Sequence, residues 1–362
     1  MKICFCLASL GSGGAERVVT LLANRMNAMG HQIEIICLKY DDMYYQTDKG
    51  VKVVFAEHLG KSVPELRWLR KHVREEKPDV MIAFTEGVYC FTIAALLGIK
   101  IPVIASERLD PTAMTWKRNL LKRLLLPYAD WLVVQTKTIK EYFPKSIQKK
   151  ISVIYNPVNL PQTSSLTTDP SPKGEGSGKS EGKMNRIISV ARLFPQKNQE
   201  MMIKALAQIV NKYPDWKLVI YGEGPLRAEL EAVVSSFKMQ ESVLLPGRTE
   251  HVVEELRKSK IFCLSSDYEG MSNSMIEAIC VGLPIVSTKV SGTDELIEDG
   301  INGYRVEIGD ERGMANALEK LIQNEEMMKQ MAEKNKQKAV LFHLDTIMNE
   351  WMELINQVRN VS

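Results

Sequence analysis

The sequence lacks the features of a membrane-spanning or disulfide-stabilised protein. No apolar run reaches the ~18 residues that a transmembrane helix needs, and the longest, Phe91 to Ala105, is interrupted by Lys100 and Pro102. The six cysteines form no C-x-x-C pair, and most lie in apolar stretches. We therefore expect reduced, buried thiols in a cytoplasmic protein. The opening stretch, Met1 to Leu7, has no convincing cleavage site after it and predicts a buried strand rather than a signal peptide.

Net charge is low but unevenly distributed. The 362-residue chain has a formal charge of +3, yet residues 1–160 hold 23 basic and 15 acidic side chains, a balance of +8, against −5 for the remainder. Segments 67–74 and 116–126 carry basic and apolar residues at helical spacing. This pattern is typical of core-packed helices with a solvated basic face, or of helices that rest on an anionic membrane surface. No aromatic–basic motif of the known nucleic-acid-binding modules occurs, so nucleic acid is not an expected partner.

Short β-like runs alternate with helical patterns in two series, which predicts two parallel, doubly wound sheets. The predicted strands of the first series are Ile3–Leu7, Ile33–Leu38, Val51–Phe55, Val80–Phe84, Val103–Ser106, Trp131–Gln135 and Ile151–Tyr155. Those of the second are Ile187–Ala191, Leu218–Tyr221, Val243–Leu245, Ile261–Ser265 and Ile285–Ser287, followed by a helical region from Glu311 to about Val358.

A change of composition separates the two series. Residues 161–183 are rich in Pro, Ser, Thr, Gly and Lys and contain almost no apolar side chains. Such a composition is typical of a flexible, solvated linker. We therefore predict one domain at 1–160 and a second at 184–340.

The most informative feature of the second series is a pair of carboxylates, Glu269 and Glu277, at the start of a predicted helix. The free N–H groups of a helix N-terminus favour phosphate, and carboxylates can accept sugar hydroxyls, so the arrangement suits a sugar nucleotide. A second interpretation of Glu277 is open, because Ser274 and Glu277 also have the spacing of a capping box.

Two cations precede this pair. Arg192 and Lys197 follow the predicted strand Ile187–Ala191, at the sheet edge where ligands of open α/β sheets bind. A guanidinium with a nearby ammonium can hold a diphosphate and neutralise it as it leaves.

Two further patterns have weaker implications. Gly13 and Gly14 follow the first strand, where they could let the backbone approach a phosphate or could simply form a tight turn. Glu16 occupies the position of the final glycine in the G-x-G-x-x-G motif. The motif is therefore incomplete, which disfavours an NAD-binding site. Asp267 and Glu269 have D-x-D spacing, but we predict no metal site there, because Arg192 and Lys197 already supply positive charge.

On these motifs the chain resembles the retaining GT-B glycosyltransferases of family 4, whose signature is Glu-x7-Glu preceded by an Arg and a Lys. The resemblance covers essentially the whole chain and includes the glycine-rich loop 10–17, Tyr155 to Val158 and Leu245 to Arg248. It implies two Rossmann-like domains facing across a cleft, with the donor mainly on the second domain. It also implies that a C-terminal helix, 341–362, packs back on the first.

The resemblance further implies roles for individual residues. Glu269 would lie by the donor sugar and the reaction centre, and Glu277 would bind the ribose hydroxyls. The other implied donor contacts are the backbone amides of Gly270, Met271 and Ser272, and Gly247 and Arg248 at the nucleotide base. Asn273 could touch the sugar, although a helix-capping role is the preferred interpretation.

The acceptor side is less well defined by the sequence. Ser106, Glu107 and Arg108 follow a predicted strand and are candidates for acceptor binding. Many family members carry a histidine here that touches the donor sugar, and this chain does not. In this respect it is similar to the members that transfer N-acetylhexosamines in bacterial surface-glycan assembly.

The sequence and the resemblance therefore predict transfer of a hexose or N-acetylhexosamine from a UDP-sugar to a glycan acceptor without a metal or other cofactor. We expect this acceptor to be linked to a polyprenyl diphosphate. The enzyme would be cytoplasmic, with peripheral membrane association through its basic half as an open alternative. Two rival functions are a UDP-N-acetylglucosamine epimerase of the same fold and a non-enzymatic nucleotide-sugar-binding protein. The epimerase would need histidine and carboxylate groups placed for proton abstraction, which we do not find, and degenerate binding proteins tend to lose the Arg192, Lys197, Glu269 and Glu277 set.

Overall fold

A computed structural model describes residues 1–56, 62–111, 116–160 and 183–361. The chain forms two compact units. Unit 1 comprises Met1–Pro157, Tyr268–Asn273 and Leu341–Ser362, and unit 2 comprises Val158–Asp267 and Ser274–Val340. Positions 161–182 of the predicted linker lie outside the described residues.

Unit 1 contains a seven-stranded parallel sheet with the order β3-β2-β1-β4-β5-β6-β7. The central strands β4 and β5 are buried on both faces, which is typical of parallel sheets covered by helices, whereas the edge strand β3 is partly exposed. The strands are β1 Lys2–Leu7, β2 Gln32–Cys37, β3 Val51–Phe55, β4 Val80–Phe84, β5 Val103–Ser106, β6 Trp131–Val134 and β7 Ile151–Val153. The helices between them are α1 Gly14–Ala28, α2 Ser62–Glu76, α3 Glu86–Leu96, α4 Trp116–Leu125, α5 Lys137–Tyr142 and α6 Lys145–Gln148.

Unit 2 contains a six-stranded parallel sheet with the order β10-β9-β8-β11-β12-β13. Its strands are β8 Arg186–Val190, β9 Lys217–Tyr221, β10 Val243–Gly247, β11 Ile261–Leu264, β12 Ile285–Thr288 and β13 Gly303–Val306. Its helices are α7 Gln199–Ala207, α8 Arg227–Ser236, α9 Val252–Arg257, α10 Asn273–Val281, α11 Thr293–Leu296, α12 Glu311–Ile322 and α13 Glu325–Lys338. The sequence did not predict β13.

The C-terminal helical region is interrupted. Asn324 caps α13, since its side chain accepts a hydrogen bond from the N–H of Met327, and α14, Leu344–Val361, begins after a short 3-10 helix. Helix α14 belongs to unit 1, where Trp351 is fully buried and stacks on Phe84 with 6.0 Å between ring centres. Its apolar face thus completes the core on one side of the first sheet.

In both sheets the strand order reverses at one point, between β1 and β4 and between β8 and β11. The loops that follow adjacent parallel strands start at the same sheet edge, which is the usual ligand-binding edge of doubly wound folds. The predicted α/β fold with two such sheets is confirmed. The six cysteines are free and buried, and none of the described helices combines the length and apolarity needed to span a bilayer.

Candidate functional site

The loop after β8 carries the two predicted cations of unit 2. Arg192 is exposed, and its guanidinium lies 5.0 Å from the ring centre of Phe194. The backbone carbonyl of Arg192 accepts a hydrogen bond from the side-chain amide of Gln199. Lys197 ends a short 3-10 helix, and its carbonyl accepts a hydrogen bond of 2.9 Å from the Ser265 hydroxyl. The backbone that presents both cations is therefore fixed at the carboxyl edge of the sheet.

Asn198 links this loop to the one that follows β11. Its amide nitrogen donates to the Asp267 carboxylate at 2.8 Å, its side-chain oxygen caps α7, and its backbone is left-handed, with φ 42°. Asparagine tolerates this conformation better than most residues. Sequence reasoning missed Asn198, although an Asn before a helical pattern is a capping signal.

The Asp267 contact bears on the D-x-D spacing. With one oxygen of Asp267 engaged by Asn198, the carboxylate has a structural partner. Within the described ranges, the one group of clustered metal-ligating side chains is Glu34, His72 and Glu76, which contains neither Asp267 nor Glu269. Glu34 and Glu76 of this group form ion pairs with Lys52.

Gly222 brings the loops after β8, β9 and β10 together. Its N–H donates to the Gly247 carbonyl at 2.8 Å, and a Cβ at Gly222 would lie 1.9 Å from the carbonyl oxygen of Ala191. Only glycine fits this approach, and its φ of +149° also excludes most side chains. The structure thus brings Gly247 to the edge that carries Arg192, with Arg248 exposed beside it.

Glu277 lies deeper in its helix than a capping box requires. Helix α10 begins at Asn273, so Ser274 is inside the helix and Glu277 is its fifth residue. In a capping box the serine precedes the helix and the glutamate is the third helical residue. Glu277 is nearly fully buried.

The segment 268–273 of unit 1 packs tightly. Glu269, Met271 and Ser272 are buried. A Cβ on Gly270 would lie 2.3 Å from the carbonyl oxygen of Arg108 and 2.6 Å from the Gln135 side-chain oxygen. Close packing within unit 1 therefore accounts for this glycine before any contact with a ligand is considered.

Asn273 does not cap α10. Its side-chain oxygen accepts a hydrogen bond of 2.5 Å from Asn156, and its amide nitrogen donates to the carbonyl of Gly14 at 3.3 Å. The preferred interpretation of Asn273 as a helix cap is therefore wrong. Gly13 and Gly14 themselves occupy the N-cap and first position of α1.

Of the predicted acceptor residues, Ser106 and Glu107 are fully buried. One oxygen of Glu107 accepts from Tyr89 and Lys122, each at 2.9 Å, and the other accepts from the backbone N–H groups of Arg108 and Leu109. Burial disfavours the charge on Lys122, but the carboxylates of Glu107 and Glu86 outweigh it and raise the Lys122 pKa. Glu107 therefore anchors α4 to the end of β5, and a role for Ser106 and Glu107 in acceptor binding stays a prediction.

Arg108 is different, because part of its guanidinium lacks a partner. Its Nη1 donates to Asn156 at 2.7 Å, and the guanidinium lies 4.3 Å from the ring centre of Phe84. Burial lowers the Arg108 pKa to about 9. Sequence reasoning assigned no role to Asn156 or Gln135, because nothing in their spacing shows that they meet.

Comparison with known proteins gives the family. Residues 12–162 match the family model described as Glycosyltransferase Family 4, and residues 173–338 match Glycosyl transferases group 1. Over 372 aligned residues, covering 99% of both chains, the protein is 32% identical to a Campylobacter jejuni enzyme named GalNAc-α-(1→4)-GalNAc-α-(1→3)-diNAcBac-PP-undecaprenol α-1,4-N-acetyl-D-galactosaminyltransferase. The chain belongs to glycosyltransferase family 4.

Two further comparisons agree with this membership. The glycosyltransferase is 28% identical, over 94% of its own length and 95% of the relative's, to the C. jejuni N-acetylgalactosamine-N,N'-diacetylbacillosaminyl-diphospho-undecaprenol 4-α-N-acetylgalactosaminyltransferase. Its fold is similar to that of Anabaena Alr3699/HepE, solved in complex with UDP and glucose, with a TM-score of 0.81 at 18% identity, covering 99% of this chain and all of the other. The predicted GT-B glycosyltransferase architecture is thereby confirmed, and the relatives give no support to the epimerase or non-enzymatic alternatives.

Proposed function

We propose that this glycosyltransferase moves an N-acetylhexosamine or hexose, with retention, from a UDP-sugar to a glycan carried on a polyprenyl diphosphate. One observation carries the proposal. The adjacent strands β8 and β11 are followed by the segments that contain Arg192, Lys197 and the Glu269-x7-Glu277 pair, at a strand-order reversal that commonly binds nucleotides. The acceptor class is supported by the two Campylobacter relatives, whose names specify undecaprenyl-diphosphate glycans.

The proposed reaction takes place on one face of the donor sugar. The bond from C1 to the diphosphate oxygen breaks, the acceptor oxygen bonds to C1 on the same face, and the acceptor's proton passes to the departing oxygen. Arg192 and Lys197 stabilise the charge on that oxygen. Glu269 holds the sugar and Glu277 accepts the ribose hydroxyls. The other donor contacts in the proposal are Gly13, Gly14, Gly270, Met271 and Ser272 of unit 1 and Gly247 and Arg248 of unit 2.

Metal independence is part of the proposal, because two side-chain cations replace the divalent ion. The Asp267–Asn198 hydrogen bond supports it, since that carboxylate already has a partner. We expect the initial rate of transfer to persist in excess EDTA. Loss of the rate in EDTA, with recovery on adding Mn²⁺ or Mg²⁺, would instead assign Asp267 and Glu269 to a metal.

We also propose that the protein works on an anionic membrane surface, the cytoplasmic face in bacteria, through α4. Leu120, Leu121 and Leu124 on this helix are 46%, 53% and 61% exposed. Besides the buried Lys122, the helix contains three basic residues and no acidic ones. Exposed apolar residues among basic ones are typical of helices that bind anionic lipid. The other basic segment, 67–74, is a weaker candidate, because Leu69 and Val73 of α2 are buried in the core.

The function is tested with purified protein and UDP-Glc, UDP-Gal, UDP-GlcNAc and UDP-GalNAc, each with and without a polyprenyl-diphosphate glycan. We expect UDP release and an α-linked product only with the acceptor present. Interconversion of UDP-sugars without an acceptor would favour the epimerase, and binding without turnover would favour the non-enzymatic alternative. A β-linked product would contradict retention.

A further inference from the structure

Unit 1 contains a buried positive charge on Arg108. Arg108 is 8% exposed, and its Nε and Nη2 atoms are buried without a hydrogen-bond partner. In the described part of the chain no carboxylate forms an ion pair with it. Buried polar groups normally have partners, and a buried charge without one is costly.

The neighbouring carboxylates are committed to another cation. Glu107 and Glu86 both pair with Lys122, at 2.9 and 3.3 Å, and the remaining oxygen of Glu107 accepts backbone N–H groups. These acids balance the local charge, but none of them hydrogen bonds to the Arg108 guanidinium. Two of its donor atoms, Nε and Nη2, are therefore left without an acceptor among the described residues.

Asn156 holds this guanidinium in place. Its side-chain oxygen accepts from Arg108 Nη1 at 2.7 Å and from Gln135 at 2.8 Å, while its amide nitrogen donates to Asn273. Asn156 is 3% exposed. Aspartate has the same shape and could accept the first two hydrogen bonds, but it would also give Arg108 a buried counter-ion.

We infer that Asn156 is a positioning residue that fixes Arg108 without neutralising it, so that Arg108 binds a diphosphate oxygen of a substrate. The inference rests on the proposed function, in which both the UDP-sugar and the polyprenyl-linked acceptor carry a diphosphate. Arginine suits this partner, because its planar fork of donors matches phosphate oxygens. An amide at position 156 is therefore part of the specificity for an anionic substrate.

The test is Asn156→Asp. We expect the melting temperature to stay the same or rise, since Arg108 gains a counter-ion, while binding of the diphosphate-bearing substrate weakens at least tenfold. If Asn156 has a structural role only, substrate binding should stay at its wild-type strength, because aspartate keeps two of the three hydrogen bonds. The matched control is Asn302→Asp in unit 2, where a buried amide bonds only to neutral groups; there a buried carboxylate should lower the melting temperature.

Two binding measurements distinguish the source of the diphosphate. If the donor supplies it, Asn156→Asp weakens UDP binding at least tenfold and leaves uridine binding unchanged. If the acceptor supplies it, the variant raises KM for the polyprenyl-diphosphate glycan but not for the same glycan on a phosphate-free carrier. A folded Asn156→Asp protein with wild-type values in both measurements overturns the inference.

A third variant checks that Asn156 acts through Arg108. Arg108→Gln should give the same loss of affinity, and the double variant should lose no more than either single one. Additive losses would show that Asn156 does not act through Arg108. If the wild-type protein transfers no sugar from any donor, the proposed function fails, whereas the UDP measurement still reports on Arg108.

Discussion

At the scale of single residues, the structure helps to separate the two interpretations of Glu277, a ribose-binding carboxylate and a capping-box residue. It is the fifth residue of α10 and nearly fully buried. A carboxylate at this depth is not placed to cap the first turn in the capping-box manner. The ribose-binding interpretation thus gains weight, although it stays a prediction.

Glu277→Gln separates the two interpretations. Hydrogen bonds to a charged acceptor contribute about 1.5–3 kcal/mol, against about 0.5–1.5 for neutral ones. We expect UDP binding to weaken roughly tenfold, measured by titration calorimetry, with little change in the melting temperature of the free protein. Glu241→Gln, an exposed substitution in unit 2, should change neither quantity. Unaltered UDP affinity in folded Glu277→Gln would mean that this carboxylate has a structural role only.

The two cations of the β8 loop should act mainly in the transition state, when charge develops on the leaving diphosphate. Replacing Arg192 or Lys197 with Ala should therefore lower turnover by on the order of 10²-fold or more. The same change should weaken UDP binding by a smaller factor. Steady-state kinetics with the preferred UDP-sugar measure this, with Arg312→Ala, an exposed arginine of α12, as the control. Near-normal turnover in either site variant would remove the diphosphate-binding assignment for that residue.

At the scale of secondary-structure elements, α4 combines a buried anchor with exposed leucines. Lys122 is 3% exposed and pairs with Glu86 and Glu107, whereas Leu121 and Leu124 are more than half exposed. Removing one partner of a buried ion-pair network commonly costs about 3–5 kcal/mol, so Lys122 fixes the orientation of the helix. The exposed leucines can then be changed without disturbing the fold.

Leu121→Asp and Leu124→Asp test membrane docking by α4. Burying a leucine contributes about 1.5–3 kcal/mol, so each change should weaken binding to anionic phospholipid vesicles by roughly tenfold, measured by co-sedimentation. The melting temperature should stay near that of the wild type. Phe237→Asp, at the exposed apolar residue that follows α8, is the control, and this variant should bind as the wild type does. Equal binding by all the variants would rule out α4 as the docking element.

At the scale of the whole molecule, the fold was largely predictable because parallel strands covered on both faces are continuous apolar runs. Strand β4 was predicted at its observed bounds for this reason. Strand β13 was missed, because it begins with Gly303 and only Gly303 and Val306 of its four residues are buried. The break between α12 and α13 was missed, because helical periodicity continues across the two-residue gap 323–324.

The site was less predictable than the fold. Motif residues such as Arg192 and Glu277 are visible in the sequence because their spacing carries the signal. The contacts of Asn156 with Arg108, Gln135 and Asn273 join positions that are far apart in sequence. Such contacts depend on the strand order, and a single sequence does not contain that information.

The chain order of unit 1 has a consequence for biosynthesis. Its sheet is made first, but six side chains of its core are translated only after Val158–Asp267 and Ser274–Val340: Ile347, Met348, Trp351, Leu354, Ile355 and Val358. Ribosomes add about 5–20 residues per second, so the nascent sheet waits roughly 10–40 seconds with part of its Phe84 side uncovered. Exposed apolar surface of this kind is what chaperones bind, and the first unit to emerge is therefore among the last to finish folding.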